Sequence, residues 1–441
     1  MRAPPPADVI VIGAGIVGLC SALALQARGA RVRLFDPLGF GQGCSYGNAG
    51  LINADAHLPV AMPGMPSQVP RWLLASDSPL SVRPADALRE LPFLWRWLAA
   101  SRMAAAWRSI LALRALHSNV LAHYRTLLGN DYHRHIIEAG GLTLLSGEEP
   151  TPAERRATQI RKQLGIAAEM VDRAGLDALV PGLSPSLQRA LFFPGHAHCH
   201  DPAALCAALG ARVLAQGGRL EKVQVVGITS TAGGCLVVTD AGPSEAAGAV
   251  IAAGIGSRHL LRELRARIPL AAERGYHLQL EAPSVALPMG VIHRAGGFAL
   301  TPIAGGLRLA GTIEIAAPDA PPKWSRADLI LARARALLPA LRFSSATRWM
   351  GARPSLPDSV AAIGPVPGHR HIFAAVGHGH DGMIGAPASG QLIAEMLTGG
   401  APHIPPAPYR LDRFGVRDSF CGPAVEDQGD ARGLACAGSE G

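Results

Sequence analysis

The chain has 441 residues, 49% of them hydrophobic and 17% charged, which excludes an intrinsically disordered protein and leaves room for two or three domains around a large core. The net charge is +8, but only three of the 41 basic residues are lysines (Lys162, Lys222 and Lys323). The charge is therefore partly compositional, and no nucleic-acid partner is expected, while an acidic substrate or an anionic membrane surface stays compatible.

The seven cysteines form no C-x-x-C pair, which argues against a disulfide framework and for a reducing compartment. The N-terminal apolar run is broken by three glycines and lacks a small-residue cleavage site. No stretch reaches 18 uninterrupted apolar residues. The expectation is a cytoplasmic protein, with peripheral contact to the inner membrane face left open.

Residues 8–36 read "DVIVIGAGIVGLCSALALQARGARVRLFD". A strand over Val9 to Ile12 runs into Gly13-Ala14-Gly15-Ile16-x-Gly18, a helix follows to about Arg28, and a second strand over Val32 to Phe35 ends in Asp36. Gly13 permits a tight turn, Gly15 lets the backbone approach a pyrophosphate, and Gly18 lets helix and strand pack closely. The helix N-terminus faces the phosphates, and Asp36 accepts the ribose hydroxyls. This is a dinucleotide fingerprint. Asp36 repels a 2′-phosphate and disfavours NADP; FAD and NAD both remain.

An uninterrupted βαβαβ series does not follow. Residues 37–55 are glycine-rich and irregular, and residues 71–128 are expected to be helical, with Trp72, Trp95, Trp97 and Trp107 among Arg71, Arg83, Arg89, Arg96, Arg102, Arg108 and Arg114. That insert is either an ordinary packing face or a basic, Trp-rich contact for a membrane or a quinone-linked acceptor. Strands return at "GGLTLLSG", "KVQVVGI", "CLVVTD" and "GAVIAAG". In "GHAHCH", His196, His198 and His200 alternate beside Cys199; the spacing matches no zinc motif, and no metal site is expected. Asp201-Pro202 opens a helix as N-cap and first residue. "GGFALTPIAGGLRLAGTIEI" reads as a hairpin turning at Gly305-Gly306. "GHGHDGMIG" leads into a helix expected over about Ala388 to Leu397. Residues 415–441 have no period and read as a disordered tail.

The ordered series of the fingerprint, "CSYGNAG" (44–50), "PVAMPGM" (59–65), "ERGYH" (273–277), "RLAGTIE" (308–314), "GARPSLPDSVAAIG" (351–364) and "GHGHDGMIG" (377–385) resembles the FAD-dependent D-amino-acid oxidase superfamily. Within it the chain is most similar to bacterial D-amino-acid dehydrogenases, including those acting on D-proline or hydroxy-D-proline. The resemblance spans residues 7–414. It implies an α/β fold: a discontinuous FAD-binding Rossmann domain of the glutathione-reductase type over 1–56, 190–260 and 345–414. An α+β substrate domain with an antiparallel sheet takes 57–189 and 261–344.

The resemblance also implies roles. Arg353 holds the substrate carboxylate through its planar fork. Tyr276 faces the pocket and bonds the carboxylate, which turns its neighbour His277 to the other face; a nearby histidine takes the amine proton. His378 faces the substrate. Cys44, Ser45, Asn48, Ala49 and Gly50 pass beneath the cofactor, with Val225 and Gly254 also at the nucleotide. Gly377, Gly379, His380, Asp381, Gly382 and Met383 present a helix N-terminus to the flavin. No cysteine stands in "WMGARPS", where some sarcosine oxidases attach flavin, so FAD is expected to be non-covalent. The expected activity is oxidation of a D-amino acid to its imino acid, with a quinone or respiratory-chain component as acceptor. A glycine- or sarcosine-type oxidase using O₂ is the alternative, and a flavoprotein of tRNA modification a remoter one. The loop after the second strand lacks the carboxylate-binding arginine of sarcosine oxidases.

Overall fold

The computed structural model describes residues 8–53, 58–74, 78, 80–147 and 149–415. Residues 416–441, nearly all of the expected tail, lie outside this set. The dinucleotide fingerprint forms β1 (Asp8–Ile12), α1 (Ile16–Ala27) and β2 (Arg31–Phe35). Val9, Ile10 and Val11 are fully buried, as a strand covered on both faces requires.

In the insert, α2 (Leu91–Ala100) and α3 (Met103–His117) are its longest helices. The insert is not wholly helical: Leu80–Val82 is a short strand, ended by Pro84 as the first residue of the next helix. Further along come β3 (Gly141–Leu144), β4 (Ala190–Phe193), α4 (Pro202–Ala215), β5 (Arg219–Glu221) and β6 (Gly248–Ile251). Asp201 caps α4 as expected, its Oδ1 accepting from the amides of Ala203 and Ala204. Then follow β7 (Ala271–Glu281), β8 (Phe298–Ile303), β9 (Gly306–Ile315), β10 (Ser345–Ser355), β11 (Ala362–Pro365), β12 (Ile372–Val376) and α5 (Gly382–Leu397).

One six-stranded sheet has the order β5-β2-β1-β6-β12-β11, parallel except for β11. Its strands are drawn from three distant parts of the chain. Because β1, β2, β6 and β12 run the same way, the loops after Ile12, Phe35, Ile251 and Val376 gather at one edge. That edge is where open α/β sheets bind ligands. Helices α1 and α5 lie side by side, and a Cβ on Gly390 would sit 2.5 Å from the Cys20 carbonyl carbon.

The second large sheet has nine strands and contains the hairpin β8–β9, with β7 between β9 and β10. Two expected domain boundaries shift here. β4 and β10 belong to this sheet rather than to the nucleotide sheet. β10 pairs with β7 from Ala271↔Ser355 to Glu281↔Ser345, so the chain crosses back only after Ser355.

Candidate active site

The glycine turn is built as its spacing predicts. Gly13 has φ +106°, and a Cβ there would lie 2.5 Å from the Ala252 carbonyl oxygen. A Cβ on Gly18 would collide with the Gly13 carbonyl oxygen. The two glycines thus let β1, α1 and the chain after β6 converge. Gly15 caps α1 without a side chain, and the Ile16 amide donates to Ser45 Oγ at 2.9 Å. Asp36 is more occupied than the sequence suggests. Its Oδ2 accepts from Ala14 N at 2.8 Å, and its Oδ1 from Leu38 N and Gly39 N at 2.8 and 3.0 Å. Three of about four acceptor positions on the carboxylate are taken, which leaves one for a ribose hydroxyl.

Gly254 follows β6 at φ +56°, and no heavy atom lies within 4 Å of where its Cβ would stand. Ala14 and Ile16 are buried in the core. Val225 is buried too, in the cluster under Phe35. A glycine-lined strand edge, a helix N-terminus whose N-cap carries no side chain, and one free acceptor on Asp36 fit a dinucleotide such as FAD.

The "CSYGNAG" loop is clamped onto the second sheet. Cys44 Sγ donates to Ala352 O at 2.8 Å. Arg308 Nη1 donates to the carbonyls of Tyr46 and Asn48 at 3.1 and 2.6 Å. Asn48 Oδ1 turns back to accept from Gly50 N at 2.8 Å, across Ala49. His277 Nδ1 donates to Gly47 O at 3.2 Å, and its ring stacks on Trp349 at 5.0 Å. Burial, then the Arg308 cation, holds the His277 pKa down at about 3, so the ring is neutral and acts as a donor.

This geometry corrects the expectation for Tyr276. On β7 the odd positions Glu273, Gly275 and His277 face the clamped loop. Arg274, Tyr276 and Leu278 face the opposite core. Tyr276 Oη donates to Glu314 Oε2 at 2.6 Å and accepts from Lys323 N at 2.9 Å. It is 1% exposed and is not among the residues that line the pocket around His378. The parity is set by Gly275: a Cβ there would lie 2.2 Å from Arg353 Nη2, so the guanidinium occupies the space over the glycine. His277, not Tyr276, shares the face of Arg353.

Arg353 is half-buried on β10, directly opposite Glu273. Its Nη1 donates to Thr312 O at 3.4 Å. Thr312 sits in a left-handed conformation (φ +58°) beside a β-bulge, a costly backbone state for a branched residue. Burial disfavours the charged guanidinium, and the carboxylates of Glu273 and Asp381 act against that by supplying negative potential. Arg353 therefore stands where the clamped loop, the second sheet and the loop after β12 meet.

Gly377 (φ +83°) and Gly379 (φ +55°) carry the turn after β12. α5 begins at Gly382, six residues before the expected start, with Asp381 as N-cap and Pro387 inside the helix. The proline is tolerated because the carbonyl it leaves unpaired, Met383 O, accepts from Tyr124 Oη at 2.7 Å. The Met383 side chain is buried in the core, so only its backbone can face a cofactor. His378 lines the pocket, but its Nε2 is bonded to Ser389 Oγ at 2.8 Å. Burial, then neighbouring His117, lowers its pKa to about 3. His380 is largely exposed, 3.7 Å from Asp381.

The pocket also has walls that no motif announced. Phe93 and Trp97 come from α2, Glu273 from β7, and Ser355 and Ser359 from around the end of β10. The one available signal was spacing: Phe93 and Trp97 stand at i and i+4 of a helix, and Glu273 shares strand parity with Gly275. The histidines of "GHAHCH" do not converge. His196 stacks on Phe193, His198 is buried and His200 is exposed. Among the described residues no group of three or more His, Cys, Asp or Glu is placed to hold a metal ion.

The sequence matches the DAO family, described as FAD-dependent oxidoreductase, over residues 8–396. A D-amino-acid oxidase of Bradyrhizobium diazoefficiens is 32% identical over 419 residues, covering 93% of this chain and 100% of the relative. A D-amino acid dehydrogenase of Granulibacter bethesdensis is 28% identical, covering 92% and 99%. In fold, the chain is similar to glycine oxidase from Geobacillus kaustophilus, with a TM-score of 0.71 and 23% identity over 93% of this chain and 99% of the other. The chain thus belongs to the DAO family of FAD-dependent oxidoreductases, and its cofactor is FAD.

Proposed function

We propose that the protein oxidises a D-amino acid at Cα to its imino acid, with FAD bound non-covalently. The observation that carries this reading is Arg353, a half-buried arginine aimed over Gly275 at the junction of the cofactor loops and the second sheet. A guanidinium there binds a carboxylate bidentately. Bound FAD supplies the two-electron sink for the Cα hydride. The chain's own residues do the rest. Arg353 orients the substrate, Phe93 and Trp97 exclude water, and the neutral imidazoles of His277 and His378 hold the surrounding loop and helix. The likeness to a D-amino-acid oxidase supports the D-enantiomer, and D-proline and hydroxy-D-proline remain within the class.

The acceptor in this reading is a quinone or another respiratory-chain component, reached from the inner membrane face. Support comes from α2, whose outer side exposes Leu91, Trp95 and Leu98. Among the described residues no helix is long and apolar enough to cross a membrane; the contact is peripheral. The likeness to glycine oxidase keeps an O₂-using amine oxidase as the second reading. An anaerobic screen of both enantiomers of the amino acids tests the first, with bleaching of oxidised flavin as readout. Bleaching by D- but not L-substrates is expected. If D-alanine, D-proline and hydroxy-D-proline all leave the flavin oxidised, the reading fails. Stoichiometric peroxide in air would replace the quinone with O₂.

A further inference from the structure

We infer that Glu273 is the amine anchor of this site, the carboxylate that receives the substrate's α-ammonium group while Arg353 receives its carboxylate. The inference rests on the amino-acid reading above and names a residue that reading does not contain. Four glutamates are buried among the described residues. Three have partners: Glu90 with Arg258, Glu314 with Tyr276 and Arg274, and Glu395 with His403. Glu273 is 7% exposed and, among the described residues, has no hydrogen-bond or ion-pair partner. It lines the pocket that also holds Ser355 and Asp381.

A carboxylate buried without a partner is costly, and the cost is relieved by a cation that docks against it. The protein's own cation does not do so. Arg353 is directly opposite Glu273 in the strand register, yet its guanidinium leans toward Gly275 and makes no ion pair with Glu273. The result is an anion and a cation on directly opposite strand positions, whose Cβ atoms are typically about 5 Å apart, with a gap between the charged tips. An α-amino acid carries its two charged groups on one carbon and fits that gap as a zwitterion. Ser355 Oγ, buried in the same pocket and without a hydrogen-bond partner among the described residues, offers a further polar contact. A primary or secondary ammonium satisfies this arrangement. A hydroxy acid or a simple carboxylate leaves Glu273 unpaired and is selected against.

The test compares wild-type holoenzyme with Glu273→Gln. Two dissociation constants are read. One is for the amino acid that best bleaches the wild-type flavin, from anaerobic rapid mixing. The other is for the matching 2-hydroxy acid, from the spectral shift of oxidised flavin without turnover. Glu273→Gln is expected to weaken the amino acid by about 10- to 100-fold and to leave the hydroxy acid within about threefold. Glu273→Asp, which keeps the charge, is expected to recover most of the loss. If Glu273→Gln does not retain FAD, Glu273→Ser, which removes the charge without adding volume, takes its place, with the same selective weakening of the amino acid expected. Equal loss of both ligands, or no loss of either, overturns the anchor. A wild-type flavin that no amino acid bleaches overturns the amino-acid reading, and the anchor with it.

Discussion

At Gly275 the absence of a side chain is the space that the Arg353 guanidinium fills. The glycine is not there for backbone freedom, since its φ is not among the left-handed ones. Its role is to admit a cation onto the sheet face. Gly275→Ala therefore acts on binding before it acts on folding. The added methyl meets the far end of a flexible side chain, which swings away at small cost in stability. The displaced fork loses its bidentate geometry, and carboxylate ligands are expected to bind about 10- to 100-fold more weakly. Titration of oxidised flavin with a non-reacting carboxylate checks this, beside a thermal melt. An unchanged dissociation constant would show that Arg353 does not hold the carboxylate. The same glycine explains the exchange of Tyr276 and His277. Alternation on a strand tells which residues share a face but not which face is inward. That choice was settled by a contact with β10, about 80 residues away in the chain.

The start of α5 shows how a local signal misleads. Read alone, Pro387 marks a boundary, since it lacks a donor and clashes with the preceding turn. The structure keeps the helix continuous by giving Met383 O to the Tyr124 hydroxyl. The pairing yields a double-mutant prediction. Tyr124→Phe alone leaves a buried carbonyl without a donor and is expected to cost about 1–3 kcal/mol. In the Pro387→Ala background residue 387 regains an N–H for that carbonyl, and the same Tyr124→Phe change is expected to cost much less. Denaturant unfolding of the four proteins gives the coupling, and additive losses would break the account. By contrast β1, α1, β2 and the hairpin β8–β9 were legible, because their signals are contiguous in sequence. Glu273 and the α2 wall were not, because nothing local says that a glutamate will lack a partner or that a helix will roof a pocket.

Taken as a whole, the molecule places α2 between its active site and its surroundings. Phe93 and Trp97 turn inward to the pocket, while Leu91, Trp95 and Leu98 turn outward; Trp95 is 71% exposed. Leu88 (81% exposed) extends the outer ridge, and beside it a shallow groove of about 480 Å³ runs between Trp95, Leu98 and Pro63–Pro66. Arg71, Arg89, Arg96, Arg102 and Arg108 are exposed on the same insert. The N-terminal end of α2 is fixed by the Glu90–Arg258 ion pair at 3.2 Å, so the ridge is held to the body of the protein. A tryptophan-bearing ridge set among arginines suits the interface of an anionic bilayer, where each arginine near the surface adds about 1 kcal/mol. The holoenzyme is therefore expected to sediment with phosphatidylserine-containing vesicles and not with phosphatidylcholine alone, and to be released by salt that screens the arginines. Trp95→Ser with Leu98→Ser removes apolar area from the ridge and is expected to lower the partition coefficient by about tenfold or more. Turnover with a water-soluble dye should be unaffected, since neither side chain touches the pocket. If wild-type protein stays in the supernatant with both vesicles, the membrane contact is wrong. A soluble acceptor must then reach the flavin by another face.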